Sequence, residues 1–386
     1  MPVRSRSIPA SWSLAIVIGS VAVIGINSGM LTPLIALRAE AAGVSTSWNG
    51  VLAAAPSLAI LLLGSTFPSI IRRLGVLQSF YFSTALAVIS TLMFPLFGNY
   101  WIWLLLKFAM GVSLGLQWVV SESWINSLAA GGRRGTILGI FVSVFSGGLA
   151  LGPFALSFVG SEGFLPFALC AALLIVCGLP LPFAEKPQVS GDGDVPQSIM
   201  STLRAAPAEN FAAFINGASW GTQLSLLPLY AIHSGSEPGR ALQLLTGICV
   251  GSLVSQPVLG RLIDRFSPTH VLAVCGAAQL LICAVLAQSI SSDLVIWPLV
   301  FAWGAAVGGM YTAGLSGLGS KFTAGDLPTA STGFTMTWEV GALFGPVIAG
   351  AAMQVWDPHG LAAVLAVLGT LLLLASLRSW GKVTAG

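Results

Sequence analysis

Gly148-Leu-Ala-Leu-Gly152-Pro153 sits inside a long apolar run, and the same arrangement returns as Gly341-Ala-Leu-Phe-Gly345-Pro346. Gly341 follows Gly148 by 193 residues, half of the 386 in the chain. Two glycines four residues apart share one face of a helix, where the missing side chains let a neighbouring backbone come close. A proline directly after the second removes a backbone donor and bends the helix there. The register extends well beyond the motif. Arg73 is answered by Arg265 at an offset of 192, Gly111 and Gly115 by Gly304 and Gly308 at 193, and Pro33 by Pro228 at 195. Four regions in one register point to a duplicated helical unit.

Composition sets the solvent. Charged residues make up 8% of the chain and hydrophobic ones 55%, against about 25% charged in an average soluble protein. Mean hydropathy is +0.90. Twelve apolar spans can be placed, near 12–37, 48–70, 76–97, 100–127, 135–158, 164–184, 209–232, 239–262, 271–291, 294–318, 327–355 and 360–378; most pass the ~18 residues a membrane-crossing helix needs. The longest polar stretch, around Glu185-Lys-Pro-Gln-Val-Ser-Gly-Asp-Gly-Asp194, separates spans 6 and 7. It divides the chain into a six-helix bundle at 1–184, a cytoplasmic linker at 185–208 and a second bundle at 209–386.

Thirteen of the sixteen lysines and arginines, among them Arg4, Arg6, Arg72, Arg73, Arg133, Arg134, Lys186, Arg261 and Arg265, fall on the side that bears both termini. The opposite loops hold only Arg38 and Arg240, and Lys107 lies within a span. The positive-inside rule therefore predicts cytoplasmic termini. Six spans per half is an even number, so both halves enter the membrane from the same side. That is a parallel repeat about an axis along the membrane normal, an arrangement found among secondary transporters.

Several function classes are excluded. No basic stripe interleaved with aromatics supports nucleic-acid binding. The five cysteines lie in apolar runs with no CxxC pair, so they read as packing residues rather than a disulfide or metal framework. His233, His270 and His359 stand in or beside different loops and read as solvated. No P-loop, GxGxxG, HExxH or GxSxG signature occurs in a suitable context, so no cofactor, no metal and no enzyme activity are expected. Trp101, Trp103, Trp297, Trp356 and Trp380 mark span ends as interfacial anchors.

Ionisable groups inside spans cost about 2.5–3.5 kcal/mol each and usually serve function. Lys107 lies toward the outer end of span 4 and Glu122 toward its cytoplasmic end. Their separation of fifteen residues leaves them about 60° apart in rotation and about 22 Å apart along the axis. Glu339, next to Trp338, sits in the cytoplasmic part of span 11. A carboxylate in a partly dry cavity can exchange a proton near neutral pH, which makes Glu122 the first candidate for proton coupling and Glu339 the second. Each also reads as a structural glutamate bonded to neighbouring hydroxyls. Lys107 reads either as an anion-attracting residue or as a partner for carbonyls freed by Pro153. Asn27, Gln117, Trp118, Asn216, Trp220, Gln223, Gln256, Tyr311 and Trp338 are the other candidate cavity residues.

Gly260-Arg-Leu-Ile-Asp264-Arg265-Phe266 joins spans 8 and 9, and its counterpart Pro68-Ser-Ile-Ile-Arg72-Arg73-Leu-Gly75 joins spans 2 and 3. With Lys107-Phe-Ala-Met-Gly111, Gly115-Leu-Gln-Trp-Val-Val-Ser-Glu122-Ser and the Gly148 motif, they resemble the major facilitator superfamily of secondary transporters. The likeness covers nearly the whole chain and is nearest a little-characterised bacterial branch. Asp264 and Arg265 match that family's cytoplasmic gating pair, whereas Pro68 stands where glycine is usual and Arg72 where aspartate is usual. Gly148 to Pro153 is similar to the motif associated with exporters, with Leu156 in place of the trailing glycine. Lys107 replaces an arginine.

The resemblance implies an all-α membrane protein of twelve transmembrane helices in two pseudo-symmetric six-helix bundles, with spans 1, 4, 7 and 10 lining a central path. It implies a monomer in the bacterial inner membrane whose partners are a small-molecule solute, protons and the lipid bilayer. Proton-coupled export of a small, partly apolar organic solute by alternating access is the expectation. Proton-coupled uptake is the alternative, and a non-transporting receptor or scaffold on the same fold is the alternative of another class.

Overall fold

Hydrocarbon offers no partner for a backbone N–H or C=O, so an apolar chain of this kind satisfies them within helices. The structure is a computed structural model and describes residues 10–128, 134–184, 199–290, 292–322 and 327–383. In the first half α1 runs Ala10–Ala41, α2 Thr46–Leu63, α3 Phe67–Leu74, α4 Val76–Met93, α5 Tyr100–Leu128, α6 Arg134–Val159 and α7 Leu165–Gly178. A short α8, Ile199–Ala205, precedes the second half. There α9 runs Pro207–His233, α10 Pro238–Arg265, α11 Pro268–Ser289, α12 Asp293–Lys321, α13 Leu327–Val355 and α14 Gly360–Val383.

The repeated glycines are packing devices, and both copies are used alike. A Cβ on Gly148 would lie 2.3 Å from Ala22 O and one on Gly152 2.4 Å from Met30 N, so α6 lies backbone to backbone on α1. A Cβ on Gly341 would lie 2.0 Å from Phe214 O and one on Gly345 2.3 Å from Ala218 O, so α13 lies the same way on α9. Gly111 of α5 faces Pro56 of α2, and its counterpart Gly304 of α12 faces Ile248 of α10. Pro153 and Pro346 lie inside α6 and α13, neither of which is interrupted.

Three boundaries differ from the sequence-based expectation. Span 2 is two helices, α2 and α3, joined by a 3-10 turn at Gly64–Thr66. The expected linker 185–208 holds α8, and α9 begins at Pro207, where proline suits the first helical turn. Among the described residues, eleven helical spans are long and apolar enough to cross a membrane. The twelfth, α9, is diluted by buried Asn210, Asn216, Ser219, Thr222, Gln223 and Ser225, which face protein rather than lipid. Arg4, Arg6, Arg133, Lys186 and linker residues 185–198 lie outside the described residues.

The two ends of the bundle differ. At the end away from the start of α1, a single apolar core draws on both halves: Met30, Leu34 and Ile35 of α1 and Leu52 of α2 pack with Leu226, Tyr230, Ala349 and Met353. Backbones meet across the halves there. A Cβ on Gly50 would stand 2.2 Å from Pro346 O, and one on Gly350 2.4 Å from Thr46 O. At the other end the cores are separate. One comprises Val17, Phe67, Phe80, Trp124 and Phe141 of the first half. The others comprise Ile215, Leu259, Met310 and Phe334 of the second. The molecule is joined at one end and divided at the other.

Candidate solute path and its gates

Lys107, Trp118 and Glu122 fall on one stripe of α5, within about 60° of rotation. Gly111, within the same stripe, faces Pro56 of α2, and Trp118 packs on Phe141 and Phe145 of α6 at 4.9 and 5.0 Å between ring centroids. The stripe therefore looks between α2 and α6, the two helices that border the second half. Lys107 is buried, 5% exposed, and among the described residues no hydrogen bond or charge partner acts on it. The alternative in which it caps carbonyls around Pro153 has no counterpart in these contacts.

Glu122 is exposed, and its charge acts on Tyr311 of α12, in the opposite half. Tyr311 is itself 37% exposed and meets Phe334 of α13 edge-on at 5.6 Å. An acid and a phenol from different halves thus interact at the divided end. Glu339 on α13 is nearly buried, 9% exposed. Its carboxyl is hydrogen-bonded by the Ser57 hydroxyl of α2, again across the halves. Pro56-Ser57 inside an apolar run gave no sequence signal for this contact, because Ser57 becomes special only when α13 lies beside it.

The expected amide-lined cavity is rearranged. Asn216 is buried; its Nδ2 donates to Val307 O at 2.7 Å and its Oδ1 accepts from Trp338 Nε1 at 2.7 Å. Both residues are therefore held inside the second half. Gln117 donates to Thr84 of α4 at 3.1 Å. The Gln256 Nε2 donates to Ser252 O at 3.1 Å, and its Oε1 accepts from Thr312 at 2.7 Å. Asn27 lies two turns after Ser20, whose hydroxyl donates to Cys177 O of α7 at 2.8 Å, so the two share a face turned to α7. Gln223 is one turn after Ser219, which accepts from Gln279 of α11 at 3.0 Å, and it too faces the interior of its half. Trp220 packs on the joined apolar core.

The residues of the 8–9 and 2–3 connections form no ion pair across the halves among the described residues. Asp264 and Arg265 are exposed, Arg265 lies over the Phe266 ring at 5.8 Å, and Asp264 forms no ion pair among the described residues. Arg73 is likewise exposed, and Arg72 bonds only Ser69. A Cβ on Gly260 would meet nothing within 4 Å, as expected where the partner helix stands away. His233 departs from the solvated reading. It is partly buried and bonded on both ring nitrogens, to Glu40 and Asp357. Its partners lie 193 residues before it and 124 after it, a separation that no local pattern signals.

Two six-helix halves related by a repeat, parted at one end around a polar stripe, fit a membrane transporter. The family model for the Major Facilitator Superfamily matches residues 17–208 and 210–382, and the chain belongs to that family. It is 26% identical to the MFS-type transporter YfkF of Bacillus subtilis over 370 residues, which cover 93% of this chain and 94% of the relative. It is also 26% identical to the MFS-type transporter YE1530 of Yersinia enterocolitica over 312 residues, 80% of each. Among solved structures, the nucleoside transporter NupG superposes with a TM-score of 0.80 at 11% identity, over 96% of this chain and 98% of that one. A bacterial homolog of the human lysosomal transporter Spinster, inward-facing and unoccupied, superposes with a TM-score of 0.75 at 14% identity, over 96% of each. Identities this low carry the fold only. MFS transporters carry small-molecule solutes across a membrane by secondary transport, and they are not enzymes.

Proposed function

We propose that this protein moves a small, partly apolar organic solute across the bacterial inner membrane as a monomer, by alternating access coupled to protons. With both termini cytoplasmic, as the lysine and arginine distribution suggests, the divided end opens inward and the joined end faces out. One observation carries the reading: Glu122 and Tyr311, from different halves, interact at the divided end while apolar packing and close backbone contact join the other. Closure of that end would drive solvent away from Glu122 and change its proton affinity, which is the requirement for coupling. Glu339, bonded to Ser57 across the halves, is the second acid whose surroundings must change when the halves rock. Lys107, buried and without a partner among the described residues, adds preference for a solute with a negative or electron-rich group, and Trp118 and Tyr311 supply flat apolar walls. Export is the direction associated with the Gly148 motif. In this molecule, however, those glycines have a sufficient role in packing α6 on α1.

A thermal-stability screen of the purified protein against metabolites and drugs at two pH values supplies the solute. Flux of that solute into proteoliposomes under imposed pH gradients of either sign then reads coupling and direction together. Glu122→Gln is expected to abolish gradient-driven flux while leaving membrane insertion and solute counterflow intact. Gradient-driven flux at the wild-type rate in that variant removes Glu122 from the coupling role.

A further inference from the structure

His233 ends α9 at the joined face and lies between one carboxylate from each half. Its Nε2 is 2.6 Å from Glu40 Oε1 at the end of α1, and its Nδ1 is 2.6 Å from Asp357 Oδ1 in the turn before α14. Carboxylates only accept hydrogen bonds, and a neutral imidazole has a single N–H. Two carboxylates on one ring therefore require a second N–H, so the cluster in this arrangement holds an added proton. Resting on the alternating-access reading and its orientation, we propose that Glu40, His233 and Asp357 form a proton-binding latch. A proton held among them keeps the outer end closed, and its loss lets that end open.

Glu40 is the element that makes the latch conditional. It is the first half's only contribution to the cluster, and its second oxygen, Oε2, is buried without a hydrogen-bond partner. The imidazolium is thus what offsets its charge. Deprotonation leaves one N–H between two carboxylates, so one of them stands opposite a nitrogen lone pair, which disfavours the closed arrangement. Separation of the halves returns Glu40 to water. The packing core of the joint is apolar.

Neighbouring charges are engaged elsewhere. Arg38 of α1 lines a hollow with Phe94, Trp103 and Phe167, and Arg240 at the start of α10 pairs with Asp293 at 2.7 Å. His359 in the turn before α14 stacks edge-on with Trp356 at 5.6 Å. The carbonyl of Tyr230, one turn earlier on α9, accepts from the Ser234 hydroxyl at 2.8 Å, and Glu237, in the loop before α10, is exposed. The carboxylates approach opposite edges of the ring, so the three groups do not converge on a point where a metal ion would sit.

Partial burial acts to lower the affinity of His233 for a proton, but the hydrogen bonds and charges of Asp357 and Glu40 outweigh it, and the ring's pKa is raised above 6.5. A raised pKa in the closed form means that the latch's contribution is complete below about pH 6.5 and fades as pH rises through the higher closed-state value. External acid therefore favours closure and external alkali favours opening.

The test uses the full chain in lipid nanodiscs with two pairs of spin labels, introduced in a background whose five buried cysteines are replaced. Gly98→Cys with Leu294→Cys reads the outer end, and Leu74→Cys with Gly319→Cys reads the inner end. Distances are measured from pH 5 to pH 9. The wild type is expected to be closed outside at low pH, with an opening transition whose midpoint lies above 6.5. Glu40→Gln should lower that midpoint by about one unit, and His233→Gln should remove the transition. A midpoint unmoved in both variants while the two ends still open reciprocally overturns the latch and leaves alternating access standing. Distances fixed at both ends at every pH, in the wild type and in both variants, overturn both. Asp357→Asn, at the more exposed partner, provides a folded control: it should shift the midpoint less than Glu40→Gln, and an equal or larger shift contradicts the role given to Glu40.

Discussion

The joined end and the divided end of this molecule are built from the same repeat, yet they behave as opposites. Glycines at the joined end, Gly50 and Gly350, let backbones of different halves touch. The glycines of the Gly148 and Gly341 motifs do the same within a half. In the proposed cycle the first kind of contact breaks and the second does not. At the divided end the acids and arginines of the 2–3 and 8–9 connections stand exposed, whereas at the joined end a histidine is enclosed between two carboxylates. The lesson is that close packing and permanence are separate properties. A shared apolar core with a titratable rim can be released, while backbone contacts buried inside each bundle are retained as the halves rock.

The sharpest way to break this comparison is to fill one glycine of each kind. Gly341→Val places methyl groups into the Phe214 carbonyl and should cost more than about 3 kcal/mol, seen as loss of monodisperse protein on size exclusion in detergent. Gly50→Val should leave the protein folded but hold the outer end open, seen as a lengthened Gly98–Leu294 label distance at every pH. If the two variants behave alike, the division into permanent and breakable contacts is wrong.

A smaller effect is expected at the hydrogen bond that joins the halves near the middle. Ser57→Ala removes a partner of the buried Glu339 carboxyl, a loss of about 1 kcal/mol. The inward-open population should fall roughly fivefold in the same label measurement. Glu339→Gln, which can still bond Ser57, should shift that population less and should reduce the pH dependence of flux instead. The smallest effect belongs to Asp264→Asn. Exposed and without an ion pair in this conformation, Asp264 should alter the melting temperature of the inward-open form by no more than about 0.5 kcal/mol equivalent. It should nevertheless reduce the outward-open population, where the cytoplasmic side must close; an unchanged population would remove it from the gate.

The twelve helices, their pairing into two bundles and the equivalence of Gly148 with Gly341 could be read from the chain because apolar length and repeat register are local or periodic properties. Lys107 and Glu122 were legible for a related reason: a charge inside an apolar run is conspicuous whatever surrounds it. The amides divide: Asn216, Gln117 and Gln256 bond a carbonyl or hydroxyl, whereas Asn27 Oδ1 and both polar atoms of Gln223 are buried without a partner among the described residues, a difference that depends on what the next helix offers. Ser57 and His233 carried no signal, since a serine in a span and a histidine at a loop are ordinary until their partners arrive from the other half.

Hydropathy, glycine spacing and the distribution of lysine and arginine, each a property of the covalent chain, determined that this protein is a duplicated helical bundle in a membrane. Only the tertiary structure decided which end is joined and that His233 lies between Glu40 and Asp357. Those are contacts between segments 124 to 193 residues apart. Their energies depend on burial and on what lies opposite, neither of which exists until the halves have packed.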